Sequence, residues 1–277
     1  MNLVDVKNVS FAYSENNFVL QNISFSLQKG SVAIIGQNGS GKTTLVKLLK
    51  GLLKPKVGDV FIKGINTKDT TAAKLAKTVG LVFQNPNDQI FKNKVLDEVM
   101  FGPLNIGQSV DEARENALRA LEIVSLTEKS QENPYDLSLS ERKLISIASI
   151  LSMNTDIVIF DEPTIAQDCW GKTRVKDIVR LLVSAGKLVI TITHDMDFVG
   201  ECFERVIVLN KGKLLLDGSA KDVFSQEDVL SAAYLEPPYI TQLCHQLHYD
   251  EVFLSPESFI SYYESHRQKK ETNDAKH

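Results

Sequence analysis

The sequence predicts an α/β fold in which a parallel sheet core is preceded by an antiparallel β segment and interrupted by an inserted block of helices. Three observations predict it. The apolar run Val32-Ala33-Ile34-Ile35 leads into the glycine-rich stretch Gly36-Gln37-Asn38-Gly39-Ser40-Gly41-Lys42-Thr43, and then into the helix-like Thr44-Leu45-Val46-Lys47-Leu48-Leu49. Short apolar runs recur at 157–160, 188–193 and 206–209, with helical periodicity around 173–184 between them. Near-continuously apolar strands alternating with helices mark a parallel sheet covered on both faces. From about 84 to 155 the period is helical, as over 112–124, with breaks at Gly102-Pro103 and Asn133-Pro134.

The remaining elements follow in order. Residues 3–7, 19–20 and 23–27 alternate polar and apolar before Gly30, which predicts antiparallel strands. Residues 58–64 read as a hairpin strand, 74–77 as a short helix and 79–83 as a buried strand. Lys211-Gly212-Lys213 turns the chain into 214–218. From Val223 onward the pattern is helical and then mixed, with Pro237-Pro238 as a breaker. The polar tail at 267–277 has the composition of a disordered segment. No internal repeat is visible.

With 277 residues, 43% of them hydrophobic and 24% charged, the chain has the make-up of a soluble globular protein of one large or two small domains. No apolar run approaches the roughly 20 residues of a membrane span. Residues 1–7 lack a basic and apolar leader, so the expectation is a protein that stays in the cytosol. Cys169, Cys202 and Cys244 are widely spaced without a C-x-x-C pair, which predicts reduced, structural thiols. Cys244-His245 with His248 is too small a cluster to make a metal site without further ligands. A net charge of −4 offers no global attraction to nucleic acid, and no nucleic-acid partner is expected.

The chemistry concentrates at the ends of the predicted strands. A glycine-rich turn between strand and helix aims backbone N–H groups at phosphate oxygens, which nominates Gly36, Asn38, Gly39, Ser40, Gly41 and Thr44 as nucleotide contacts. Lys42 would reach the β- and γ-phosphates, and the Thr43 hydroxyl would ligate Mg²⁺. The run 157–160 ends in Asp161-Glu162. Asp161 would hold Mg²⁺ through water and Glu162 would polarise the attacking water as general base; the alternative is simply an acidic helix start at Glu162-Pro163-Thr164. His194 is either a solvated turn residue or a γ-phosphate sensor. Gln84, bland by itself, closes the 79–83 strand. Together, Lys42, Gln84, the carboxylate pair and His194 stand at four strand ends and would form one site.

In that motif order the chain resembles the ATP-binding-cassette family over about residues 2–224. The order is an aromatic at Tyr13, the phosphate loop at 36–43, Gln84, a helix-opening signature at 137–141, Asp161-Glu162, Asp168 and His194. The resemblance implies a RecA-like P-loop NTPase core with an N-terminal antiparallel β subdomain and a helical subdomain over about 86–155, ATP with Mg²⁺ as ligands, and ATP hydrolysis. It implies that Lys42, Gln84, Glu162 and His194 are catalytic, that Thr43, Gln84 and Asp161 hold the metal, and that Ser138 contacts a partner's nucleotide. Tyr13 is either an adenine-stacking residue or a strand aromatic in the core.

A narrower resemblance at Val82-Phe83-Gln84-Asn85-Pro86-Asn87-Asp88-Gln89-Ile90-Phe91 and Asp97-Glu98-Val99-Met100-Phe101-Gly102-Pro103 is to the ATPases of energy-coupling-factor importers of vitamins and transition-metal ions. It implies a peripheral subunit on the cytosolic membrane face, two cassettes sandwiching two ATP molecules, a transmembrane coupling subunit and a substrate-binding membrane subunit. The family signature is Leu-Ser-Gly-Gly-Gln, but this chain has Leu137-Ser138-Leu139-Ser140-Glu141, without either glycine. Side chains there would crowd an opposing phosphate, while Ser138-x-x-Glu141 also reads as a capping box. The altered signature favours a heterodimer with a second, standard cassette over a homodimer. A soluble cassette ATPase without a transport role and a slowly hydrolysing regulatory module remain alternatives. The extension at 225–277 would either stabilise the pairing of cassettes or be a passive tail.

Overall fold

The computed structural model describes residues 2–15, 17–249 and 251–274. Ten strands and eleven α-helices occur among them. An antiparallel sheet combines β1 (Val4–Ala12), β2 (Phe18–Leu27), β4 (Val57–Ile62) and β5 (Ile65–Asn66) in the order β2-β1-β4-β5. The second sheet holds β3 (Gly30–Ile35), β6 (Val79–Val82), β7 (Ile157–Asp161), β8 (Leu188–Ile192), β9 (Arg205–Asn210) and β10 (Lys213–Ser219) in the order β10-β9-β3-β8-β7-β6. All its pairings are parallel except β9 with β10. Helix α1 (Lys42–Leu49) follows β3, and the short α2 (Ala72–Leu75) precedes β6. The helical insertion is α3 (Val95–Asn105), α4 (Val110–Ile123) and α5 (Leu139–Leu151). Helices α6 (Cys169–Ser184) and α7 (Met196–Cys202) connect the later strands. Then come α8 (Ala220–Phe224), α9 (Glu227–Ala232), α10 (Tyr239–Gln246) and α11 (Pro256–Asp274).

The parallel strands are apolar along most of their length because both faces are covered. Ala33, Ile35, Val158, Phe160, Val189, Val206 and Val208 enter one core with the inserted helices and α6. Their neighbours Val32, Ile34, Ile157, Ile159, Ile190, Ile207 and Leu209 enter the other, with α1 and the antiparallel sheet. That is the two-residue period of a strand expressed as two cores. The β9–β10 turn carries positive φ at both Lys211 (48°) and Gly212 (77°), the requirement of a type I′ hairpin. It also braces the phosphate loop, since the Gly212 N–H donates to the Ser40 carbonyl at 3.1 Å.

Helix starts lie earlier than periodicity placed them wherever a side chain caps the first turn. Thr71 accepts from the Lys74 N–H at 3.3 Å and opens α2 at Ala72. Asp168 accepts from the Gly171 N–H at 2.7 Å and opens α6 at Cys169, four residues before Thr173. The polar tail at 267–277, with a disordered composition, is helix as far as Asp274, and 275–277 lie outside the described residues. A small core of Ile240, Cys244 and Phe253, packed by Tyr249, Phe259 and Tyr262, organises the end of the chain. Cys244 is buried there and His245 pairs with Glu227.

Candidate functional site

Strands β3, β8, β7 and β6 are parallel neighbours, so the segments that follow them open at one edge of the sheet, where ligands of open α/β sheets bind. After β3 the chain turns through Gly36, whose φ is +153° and whose place a Cβ would bring within 2.2 Å of the Leu209 carbonyl oxygen. Gly41, at φ +104°, is the N-cap of α1 and supplies no side-chain cap. The first-turn N–H groups of α1 therefore have neither an intrahelical acceptor nor a capping one. Inside the loop the Ser40 hydroxyl oxygen is buried without a partner. An uncapped helix start of at least two turns and an orphaned buried hydroxyl fit a bound phosphate. Lys42 is buried and folds back on the loop, donating to the Gly36 carbonyl at 2.6 Å and the Gln37 carbonyl at 2.9 Å. Burial lowers its pKa from the ordinary lysine value, opposed by the nearby Glu162 and Asp161 charges.

Glu162 follows β7 at φ +47°, a left-handed conformation uncommon for a side-chain-bearing residue. The turn directs its carboxylate inward, where it is 5% exposed. Oε2 accepts from the His194 backbone N–H at 3.3 Å, Oε1 lies 3.3 Å from His194 Nε2, and the Thr193 side chain adds a hydrogen bond. Burial nevertheless raises the Glu162 pKa above its ordinary value. Asp161 is raised by the same cause, with Lys143, Lys42 and Lys47 pulling the other way. Burial, and then the Lys42 charge, lowers the His194 pKa below 6.5. At neutral pH the His194–Glu162 contact is therefore a hydrogen bond from a largely neutral imidazole.

These groups surround one cleft of about 310 Å³. Lys42, Thr43 and Thr44 line it with Asn38, Gly39 and Gly41 on one side, and Gln84, Asp161, Glu162 and His194 on the other. Gly36 and Ser40 shape the loop without lining the cleft. Tyr13 is 60% exposed and off the cleft wall, edge-on to Phe11 at 5.0 Å and with its hydroxyl 3.3 Å from Thr44 Oγ1. It sits at a rim rather than in the core. A larger neighbouring cleft of about 700 Å³ touches the first at His194 but has no phosphate-loop residue in its wall.

Ser138 does not line this cleft either. It is the N-cap of α5, where Ser138 and Glu141 form a reciprocal capping box: the Glu141 N–H donates to Ser138 Oγ at 3.2 Å and the Ser138 N–H to Glu141 Oε2 at 2.9 Å. The Ser138 hydroxyl itself donates to Glu141 Oε2 at 2.7 Å. Leu139 stands exposed beside it, and the Ser140 hydroxyl lies 3.1 Å from Gln167 Oε1.

Several polar residues near the cleft have structural roles that their sequence motifs do not specify. Gln89 accepts from the Phe83 N–H at 3.1 Å and donates to the Ser146 carbonyl at 2.7 Å, tying the segment after β6 to α5. Glu98, 3% exposed, accepts from the N–H groups of Phe91 and Lys92. Lys143 is 1% exposed. Its only sequence signal is register: it lies four residues before Ile147 and eight before Leu151, on the apolar stripe of α5.

The sequence profile described as ABC transporter matches residues 20–165. A putative ABC transporter ATP-binding protein of Pyrococcus furiosus is 43% identical over 242 residues, covering 87% of this chain and 92% of the relative. The energy-coupling factor transporter ATP-binding protein EcfA of Methanocaldococcus jannaschii is 37% identical over 246 residues, with 88% of each chain covered. Among solved structures, cbiO1 from Clostridium perfringens, part of the ABC transporter complex cbiONQ, superposes with a TM-score of 0.74 at 29% identity over 90% of this chain and 99% of that one. The shared cassette architecture, the phosphate loop at its sheet edge and these relatives give one conclusion: the chain belongs to the ABC transporter family, as an ATP-binding and ATP-hydrolysing cassette similar to the energy-coupling-factor subunits.

Proposed function

We propose that this chain is an ATP-hydrolysing subunit of an energy-coupling-factor-type importer of vitamins or transition-metal ions. It works peripherally on the cytosolic membrane face, paired with a second cassette that carries a standard signature. The observation that carries the reading is the convergence of Lys42, Gln84, Asp161, Glu162 and His194 on one cleft with the phosphate loop. In this reading the loop amides and Lys42 hold the ATP phosphates, Glu162 takes the proton of the attacking water, and His194 senses the γ-phosphate while its backbone N–H orients the carboxylate. Thr43, Gln84 and Asp161 offer hydroxyl, amide and carboxylate oxygens, a donor set suited to Mg²⁺ held jointly with phosphates. The ion would neutralise charge on the β- and γ-phosphate oxygens.

The outer surface beside Gln84 supports a membrane partner. Phe91 and Phe101 meet edge-to-face at 4.7 Å and are 52% and 38% exposed, with Lys92 above both rings. Phe83, Leu104 and Tyr135 add exposed apolar area, a patch suited to a helix of a coupling subunit. Among the described residues no helix is long and apolar enough to cross a membrane; in this reading the translocation path and the substrate-binding function are assigned to other subunits.

Asymmetric pairing follows from the signature. Ser138 spends its hydroxyl on the Glu141 cap and Leu139 projects where glycine would leave room. ATP bound to this chain would meet the partner's intact signature, and the partner's ATP would meet the altered one. The same observation favours, as a second reading, a slowly hydrolysing regulatory cassette. Single-turnover hydrolysis by the reconstituted pair separates them: one fast and one slow site supports the asymmetric importer subunit, equal bursts from both sites contradict the asymmetry, and two slow sites favour the regulatory cassette.

A further inference from the structure

The end of β6 and the end of β7 part company beyond the last ladder pair, Val82 with Phe160. The carbonyl oxygens of Phe83, Gln84 and Asp161 lie past that point, and they belong to the segments that carry two of the proposed metal-holding residues. All three accept from one side chain. Lys143, reaching across from the second turn of α5, places its Nζ at 2.7 Å from Phe83 O, 3.0 Å from Gln84 O and 3.2 Å from Asp161 O. An ammonium has three N–H donors and no acceptor, so its full valence is spent on these carbonyls. The residue is among the largest fully buried side chains of the protein. Leaving an ammonium there is costly unless every donor is matched, and burial does push the Lys143 pKa down to about 8.

A lysine whose only task was to fill space beneath α5 would be replaced by any apolar chain of similar length. We infer that Lys143 is a positioning residue: it fastens the Gln84 segment to the Asp161 strand end and both to the first turns of the signature helix. Two neighbouring ties point the same way. Arg142 donates to Asn87 Oδ1 at 2.9 Å, and Gln89 bridges the Phe83 N–H to the Ser146 carbonyl. Lys143 differs from them in being the one that also reaches β7. Its consequence is a fixed spacing between the Gln84 and Asp161 side chains, so that a metal–nucleotide complex meets a preset pair of oxygens. This inference rests on the proposal that Gln84 and Asp161 hold the metal.

The test compares Lys143→Met, which is unbranched, one atom shorter and without donors, with Lys143→Arg, which restores charge and donors. Mn²⁺ binding to the ATP-loaded protein is followed by paramagnetic resonance, and amide hydrogen exchange is mapped along the chain. Lys143→Met is expected to weaken Mn²⁺ by about tenfold, as the loss of an outer-shell partner does, with metal-free ATP affinity within about twofold. Exchange should rise at 83–91 and 161–162 while β1 and β2 keep their protection, and Lys143→Arg should recover part of the affinity. Unchanged Mn²⁺ affinity, or exchange raised uniformly along the chain, would overturn the inference. Gln84→Ala and Asp161→Asn separate it from the proposal beneath it. If neither control weakens Mn²⁺, the metal assignment fails; if both do and Lys143→Met does not, only the positioning role fails. Should Lys143→Met not fold, Lys143→Gln, with two donors, is judged by the same readouts.

Discussion

Replacing Glu162 by glutamine removes the charge and the proton affinity of one buried group while sparing its shape. The amide oxygen can still accept from the His194 backbone N–H, now 3.3 Å from Oε2, so the turn at φ +47° keeps its tie to β8. Losing a general base costs about 10²- to 10⁴-fold in rate, which is about 2.7–5.5 kcal/mol of barrier. Nucleotide binding, which the proposed function gives to the loop amides and Lys42, should stay within about twofold. The stability change has the opposite sign. Burial raises the folded-state pKa of Glu162 above 4.5, so the ionised carboxylate opposes folding at pH values above that raised pKa. The variant should therefore be at least as stable as the parent at pH 7, with any gain shrinking as pH falls through the raised pKa toward 4.5. In the parent, kcat should fall on the acid side through a midpoint above the ordinary glutamate value, and the variant should lack that limb. Stopped-flow phosphate release with partner cassette present, together with equilibrium ATP binding and thermal melts against pH, supplies all three readings. Hydrolysis within about threefold of the parent would remove Glu162 from the mechanism. Loss of ATP binding in a folded variant would show that it holds nucleotide instead.

Other perturbations act on single parts of the site and its surroundings. Gly41→Ala places a Cβ 2.6 Å from Leu20 Cδ2 at φ +104°, so ATP affinity by isothermal titration should drop by more than about tenfold while circular dichroism stays native; unchanged affinity would dissociate the loop geometry from phosphate binding. Ser138→Ala removes the α5 capping box and should cost about 1 kcal/mol in urea unfolding, whereas hydrolysis at this chain's own phosphate loop stays near the parent value in single-turnover assays. Phe91→Ser combined with Phe101→Ser strips the exposed aromatic pair; ATP binding by the purified chain should be unaffected, and recovery of membrane subunits in detergent pull-downs should fall.

The residues whose conformations the backbone dictates were the most readable. Positive φ in the phosphate loop falls on Gly36, Gly39 and Gly41, residues that pay least for it, so composition and geometry agree. Strand faces were equally plain, since the doubly covered sheet makes β7 apolar up to its terminal Asp161 and β8 apolar except at Thr191. Legibility ended where a polar side chain does its work by burial. Lys143, Gln89 and Glu98 resemble solvated surface residues by residue type, yet Lys143 and Glu98 are buried and Gln89 is half-buried, each held by hydrogen bonds to backbone groups distant in sequence. Glu162 was nominated by its neighbour Asp161, yet its left-handed backbone has no sequence signal; it occurs where the chain leaves the β7–β8 ladder, after the hydrogen bond from the Glu162 N–H to Ile192 O at 2.8 Å. The signature was half readable: the capping box was written in Ser138 and Glu141, while the contact of Ser140 with Gln167, 27 residues on, depends on where α6 begins.

The most direct test of the transport assignment is affinity purification of the tagged chain from its native membranes, with mass spectrometry of what accompanies it in stoichiometric amount. The expected companions are a second cassette bearing an intact Leu-Ser-Gly-Gly-Gln signature and multi-spanning membrane proteins. Recovery of this chain alone or as a homodimer, free of any membrane subunit, would contradict that assignment.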